Sequence, residues 1–255
     1  MRLELSSELI LTDFHYLIIG PSGTGKTLFL MLLIAKIAKE LKQIDKENAH
    51  HHLYIIDPKG TSLYSLRHSF KEKGRNQFAR DPEKARQLLQ NFYNIIEERA
   101  KLFDNDKFSF DADYQTLNLS PCYLIFDEFV DLMAKSDKKI KDEIGRLLVQ
   151  CITMGRQLGC FTILTMIRPD TSYLPGLIRS TMMKIYLATQ GKEVDEQGAI
   201  MIFNTFKRLP KPTHGTQFYG YAQGEGGVPK LFLTPKLSKQ FNIRKFLSDC
   251  FNDTS

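Results

Sequence analysis

The chain has 255 residues, a formal net charge of +6 and a pI of about 9.0, with 42% hydrophobic and 25% charged residues. That balance excludes a disordered or fibrous chain, and the length fits one large α/β domain or two small ones. The excess of positive charge favours a polyanionic partner, while the apolar run at residues 28–37 is too short for the ~20 residues of a membrane span.

Cys122, Cys151, Cys160 and Cys250 show no zinc-type spacing. Cys122 and Cys160 lie in apolar runs, which reads as buried thiols in a reducing cytoplasm. His50, His51 and His52 precede an expected strand and read as a solvated loop.

Residues 14–19 are apolar and end at Gly20, as a buried strand does. A helix is expected from Lys26 to about Lys42, apolar round most of its circumference and so well buried. Residues 53–56 form a second strand, ended by Asp57-Pro58-Lys59-Gly60. Residues 67–80 are basic and contain glycine, and are expected to be irregular. At Asp81-Pro82-Glu83 an N-cap, a proline suited to the first helical position and a dipole-favoured acid start a helix that runs to about Phe103. A polar connection, residues 104–121, leads to a third strand at 122–126. Helices are expected at about 129–133 and 137–157, and strands at 161–166 and 183–188. Shorter strands at 216–221 and 229–233 and a small helix complete the chain. Strands alternating with helices imply an α/β fold, a mostly parallel sheet with helices on both faces.

Gly20-Pro21-Ser22-Gly23-Thr24-Gly25-Lys26-Thr27 fits G-x-x-x-x-G-K-[ST] in full, with a strand before it and a helix after it. Glycines at those positions let backbone N–H groups turn inward around a β-phosphate, and the helix N-terminus adds positive potential. Lys26 then reaches the β- and γ-phosphates and Thr27 offers a hydroxyl to Mg²⁺, so ATP and Mg²⁺ are the expected cofactors. The second half of such a site is an acid ending another strand. Asp127-Glu128 follows four apolar residues, with Asp127 placed for Mg²⁺ and Glu128 to polarise the attacking water. A helix start favours two acids by its dipole alone, which is the competing reading.

Four segments resemble the FtsK/SpoIIIE-type DNA-pumping motors, and within them the coupling-protein branch of conjugative elements in Gram-positive bacteria. They are the phosphate-loop entry from His15, "YIIDPKG" at 54–60, "YLIFDEFVDLM" at 123–133 and "GRQLGCFTILTMIRP" at 155–169, and they occur in the family's order. The resemblance implies a single RecA-like P-loop NTPase motor domain over residues 1–255, with its core at about 14–221 and a C-terminal extension at 222–255. It implies an ATP-driven DNA translocase or conjugative coupling ATPase, assembled as a homo-oligomer, a hexameric ring. Arg156 falls where the family has an arginine acting on the neighbour's γ-phosphate, with Arg168 and Arg179 as the next choices. Two departures stand out. Ile167 occupies a sensor position whose usual glutamine can hydrogen-bond, which leaves Thr165 for that work, and Lys184 stands where the family often has arginine.

DNA would be held by its phosphate backbone without sequence preference. Candidate contacts are Arg67, Lys71, Lys73 and Arg75 in one basic stretch and Lys138 and Lys139, with Lys135 and Lys141, in another. Membrane association is expected only through segments or partners outside this chain. The expected location is cytoplasmic, as the cytoplasmic domain of an anchored protein or at the inner face of the cell membrane. Two other readings stand beside this one: a type VII-like protein-secretion motor, and a weakly hydrolysing nucleotide-binding assembly module.

Overall fold

The computed structural model describes residues 2–104, 111–168, 176–205, 208–213, 215–224, 227–238 and 240–252. The connection expected at 104–121 therefore falls partly outside the described residues. The elements in order are β1 (Leu3–Glu4), β2 (Ile10–Leu11), β3 (Tyr16–Ile19), α1 (Lys26–Ile44), β4 (Leu53–Ile56), β5 (Phe78–Ala79), α2 (Pro82–Leu102), β6 (Cys122–Phe126), α3 (Phe129–Lys135) and α4 (Lys138–Met154). There follow β7 (Cys160–Met166), α5 (Gly176–Thr181), β8 (Met183–Thr189), α6 (Glu196–Phe203), β9 (Phe218–Gln223), β10 (Lys230–Leu233) and α7 (Ile243–Phe251).

One eight-stranded sheet organises the chain, in the order β10-β9-β8-β3-β7-β6-β4-β5. From β8 to β5 every pair is parallel, and β9 and β10 add an antiparallel edge. The sequence forms continuous apolar runs here because both faces are covered, so neither parity of side chain meets water. Leu17 and Ile19 point into a layer with α2, α3, α4 and α6; Ile18 points into the opposite layer with α1 and α7. Ile18, Ile19, Ile56, Leu124 and Phe126 are completely buried.

Local chemistry sets the helix starts. Asp81 accepts from the Lys84 N–H with Pro82 in the first turn, as the sequence predicts, and Asp137 caps α4 through the Ile140 N–H. α6 is bounded by Asp195, which accepts from the Gly198 N–H, and by Asn204 in the left-handed region at φ 50°.

Residues 67–80 differ from the expected irregular stretch. They hold parts of two 3₁₀ segments, Tyr64–Ser69 and Glu72–Gln77, and the strand β5, which pairs parallel with β4. The reason lies in buried Leu66, Phe70 and Phe78: Phe70 meets Phe78 edge-on at 4.9 Å and Phe251 of α7 at 4.6 Å. The four cysteines are buried and none is in a disulfide. His52 ends a short 3₁₀ turn and meets Asp45 at 3.0 Å and Cys122 at 3.3 Å.

Candidate nucleotide site

The site forms at the C-terminal ends of the parallel strands, where β3, β7, β6 and β4 lie side by side. β3 delivers Gly20, whose N–H is bonded to the Met166 carbonyl at the end of β7. The loop then turns through Gly23 and Gly25, both at φ 86°, a left-handed conformation that glycine adopts without strain. No side chain caps α1, so its first N–H groups point into the loop as an anion cradle. Thr24 is fully buried and its hydroxyl donates to the Pro21 carbonyl, fixing the loop from inside. Pro21 is partly buried, and Ser22 and Thr27 are exposed at the rim. Lys192, from the turn after β8, donates to the Ser22 carbonyl from outside.

β6 delivers the two acids, and they part company there. The Asp127 N–H bonds to the Ile56 carbonyl, extending the β4–β6 pairing by one residue. Glu128 takes a left-handed conformation, φ 46° and ψ 52°, which turns the chain from strand into α3. Its carboxylate does not cap α3. Oε1 lies 2.9 Å from Lys26 Nζ and 3.0 Å from Lys59 Nζ. The phosphate loop and the acid pair, a hundred residues apart in sequence, thus meet in one ion pair, which the helix-dipole reading of Glu128 does not anticipate.

Thr165 is the third member. Buried in β7, it donates to Asp127 Oδ1 at 2.5 Å and accepts from the Glu128 N–H at 3.0 Å. Ile167 lies just beyond, half-buried. One hydroxyl therefore ties both acids to the neighbouring strand. Thr165→Val keeps the shape and removes both bonds, leaving a buried carboxylate oxygen and a buried N–H short of a partner. We expect a stability loss of about 1–3 kcal/mol by denaturant titration, with Thr165→Ser close to the parent.

The acids differ electrostatically. Burial pushes the Asp127 carboxyl above its ordinary value, against the Thr165 hydrogen bond and with the help of the Glu128 charge. Burial acts the same way on Glu128, but hydrogen bonds and charge from Lys26 and then Lys59 outweigh it and hold the group below its ordinary value. Two adjacent carboxyls pushed apart in this way suit different tasks.

Lys59 is the site residue that sequence reasoning missed, although "DPKG" was singled out. The Asp57 carboxylate, itself buried, accepts from the N–H groups of Lys59, Gly60, Thr61 and Tyr64, and this folds the turn that presents Lys59.

The remaining predicted residues lie elsewhere. Arg156 follows α4 and precedes β7, at the end of the sheet opposite the phosphate loop, with its guanidinium 3.6 Å from the Phe14 ring centroid. Below it His15 is buried and its Nδ1 accepts from the Thr162 N–H; burial first, then the Arg156 charge, lowers its pKa to about 4. A cavity of about 1030 Å³ is lined by Arg156, Arg179 and Lys184 together with Phe14 and Met201. Burial and the nearby Arg179 charge lower the Lys184 pKa. Arg168 lies instead at the phosphate-loop end of β7, exposed. Lys73 and Arg75 are exposed on the second 3₁₀ segment and Lys71 is exposed just before it, and Arg67 stacks 4.0 Å over Tyr64. Lys138 and Lys139 are exposed in the first turn of α4, and nearby Lys135 donates to the Pro58 carbonyl. Among the described residues no helix is long and apolar enough to cross a membrane.

The profile of the FtsK/SpoIIIE family matches residues 4–118. The Ftsk domain-containing protein YdcQ of Bacillus subtilis is 30% identical over 165 residues, covering 65% of this chain and 32% of that protein. The DNA translocase FtsK of Borreliella burgdorferi is 28% identical over 193 residues, 69% of this chain and 23% of that protein. The chain thus spans about a third or less of the curated relatives it matches. Among solved structures, the pCW3 conjugation coupling protein TcpA, a monomer form with ATPγS, superposes with a TM-score of 0.69 at 18% identity, covering 94% of this chain and 66% of that one. The cytoplasmic domain of the type VII secretion ATPase EccC of Thermomonospora curvata does so at 0.63 and 16% identity, over 97% of this chain and 30% of that one. At those identities the superpositions speak for the fold, a P-loop ATPase architecture shared by conjugation and secretion proteins. The family profile over residues 4–118 and the curated relatives thus show this chain to be similar to FtsK/SpoIIIE proteins over its phosphate-loop half and beyond.

Proposed function

We propose that this chain is the motor domain of an ATP-driven DNA translocase, of the kind that couples hydrolysis to DNA transfer in conjugation. The observation that carries the reading is the 2.9 Å contact between Lys26 and Glu128, which unites the phosphate loop with the residue placed to act on water. The residues present fit a magnesium nucleotide: an uncapped helix N-terminus and two left-handed glycines form the cradle, and Lys26 is buried beneath it. Thr27 and Asp127 are the residues that would hold the metal, which would supply neutralisation of the charge on the phosphates. Lys26 would hold the β- and γ-phosphates, and Glu128 would take the proton of the attacking water. Thr165 keeps both acids in register. The DNA translocase named among the relatives and the net charge of +6 support DNA as the cargo, held through phosphates by Lys71, Lys73 and Arg75 or by Lys138 and Lys139. A ring of copies, six in number, with Arg156 reaching a neighbour's nucleotide, completes the reading, together with a location at the cytoplasmic face of the membrane.

The test is the ATPase rate with and without single- and double-stranded DNA at two salt concentrations, alongside oligomer mass. We expect stimulation that is indifferent to sequence. A chain that contacts 6–10 phosphates loses about 10³–10⁵ in DNA affinity between 50 and 200 mM salt. Turnover unaffected by any DNA would favour a protein cargo, and affinity indifferent to salt would remove the phosphate contacts.

A further inference from the structure

We propose that Lys59 is a positioning residue that shares Glu128 with Lys26 and takes over its carboxylate when Lys26 turns to a nucleotide. This rests on the reading of Glu128 given above.

Lys26 and Lys59 approach the same oxygen, Oε1, at 2.9 and 3.0 Å. Lys26 is bound to α1 and nearly buried, so it has two partners within reach: this carboxylate, or an anion in the cradle above the helix end. An ammonium group has three donors, and each one given to phosphate is withdrawn from the carboxylate. Anything that draws Lys26 to phosphate loosens its hold on Glu128. Lys59 has no such conflict. Its side chain is 45% exposed and comes from the opposite side, on the turn after β4. That turn is rigid, since Asp57 accepts four of its N–H groups and Gly60 closes it at φ 65°. β4 pairs with β6 with Ile56 level with Phe126, so the turn and Glu128 leave the sheet side by side. Two cations on one oxygen also repel each other, so Lys59 weakens the claim of Glu128 on Lys26. Lys59 thus does two things: it eases the release of Lys26 and keeps Glu128 aimed afterwards.

The experiment measures affinity for a non-hydrolysable ATP analogue and, separately, turnover of ATP, for Lys59→Met and Lys59→Arg. Each is made in the parent and in the Glu128→Gln background. Lys59→Met leaves Lys26 as the only cation on Glu128. Analogue affinity in the parent should therefore fall about tenfold, the scale of one hydrogen bond to a charged group. In the Glu128→Gln background the same substitution should change affinity less than twofold, because no carboxylate holds Lys26. Turnover at saturation should fall in Lys59→Met and recover most of the way in Lys59→Arg, which restores a cation on the turn. An equal loss of affinity in both backgrounds would mean that Lys59 meets the phosphates itself and would overturn the proposal, as would no loss in either. The affinity arm needs no hydrolysis. A parent chain that binds the analogue and still turns over no ATP at high protein concentration with long DNA would therefore sink the catalytic reading of Glu128 and leave the test of Lys59 intact.

Discussion

Glu128→Gln should retain nucleotide binding and lose turnover by about 10²–10⁴-fold, the usual scale for a general base. Lys26→Ala should lose tight binding altogether. The two residues form one ion pair, yet their substitutions separate because they act on different things. Lys26 lies under the phosphate cradle at the first position of α1, whereas Glu128 leaves β6 in a left-handed turn and faces the cradle from the side. The pair adds a sharper expectation. Glutamine carries no charge to hold Lys26, so Glu128→Gln frees the lysine for phosphate, and affinity should match or exceed the parent's. The measurement is a nucleotide titration beside a single-turnover assay on the same preparation. A Glu128→Gln protein that hydrolyses at near the parent rate would remove Glu128 from the chemistry. One that binds more weakly than the parent would show that the contact with Lys26 supports the cradle instead of competing with it.

The phosphate loop was legible because its chemistry is local. The turn needs glycines at fixed offsets, the lysine must open the helix, and both lie within eight consecutive residues, 20–27. The strands at 53–56 and 122–126 were legible for a related reason, since a strand covered on both faces has no polar alternation to confuse it. Asp81-Pro82 marked the start of α2 because cap and proline act within one turn. What stayed hidden depends on strand order. Lys59 and Glu128 are 69 residues apart, and they meet only because β4 lies beside β6 in register. Thr165 reaches Asp127 by the same kind of adjacency, β6 against β7, with Phe126 level with Leu164. The short elements escaped for another reason. β1, β2 and β5 have two residues each, below the length at which any periodicity exists. The eight-residue α6 is defined by its cap at Asp195 and its end at Asn204 more than by an apolar face. Residues 67–80 were misjudged because their many basic groups masked two phenylalanines that anchor the segment under α7.

Arg156→Ala should leave the nucleotide affinity of the isolated subunit unchanged and cut turnover by about 10³–10⁵-fold, the range for arginine fingers in phosphate-loop enzymes. The geometry makes the first half of this expectation firm. β3 and β7 are parallel, the phosphate loop follows one end of β3, and Arg156 precedes the other end of β7. The length of the strands, ~13 Å for four residues at 3.3 Å each, separates the side chain from its own cradle. Arg156 therefore cannot serve its own nucleotide, and any catalytic role must be played at a neighbour's. Its stacking on Phe14 at 3.6 Å supplies the competing account, in which the arginine only packs the entry to β3. Arg156→Lys separates the two. Lysine keeps a cation over the ring but loses the planar fork that grips phosphate at two points, so a finger fails and a packing residue survives. Mixing Arg156→Ala with Glu128→Gln subunits gives the second discrimination. Some interfaces then join an intact Glu128 in one subunit to an intact Arg156 in the next, and partial activity returns only if the site is shared. Activity of the parent should also rise steeply with protein concentration, or with DNA long enough to gather several copies. A monomer whose turnover is independent of concentration, or a mixture that restores nothing, would confine Arg156 to holding Phe14 and the start of β3.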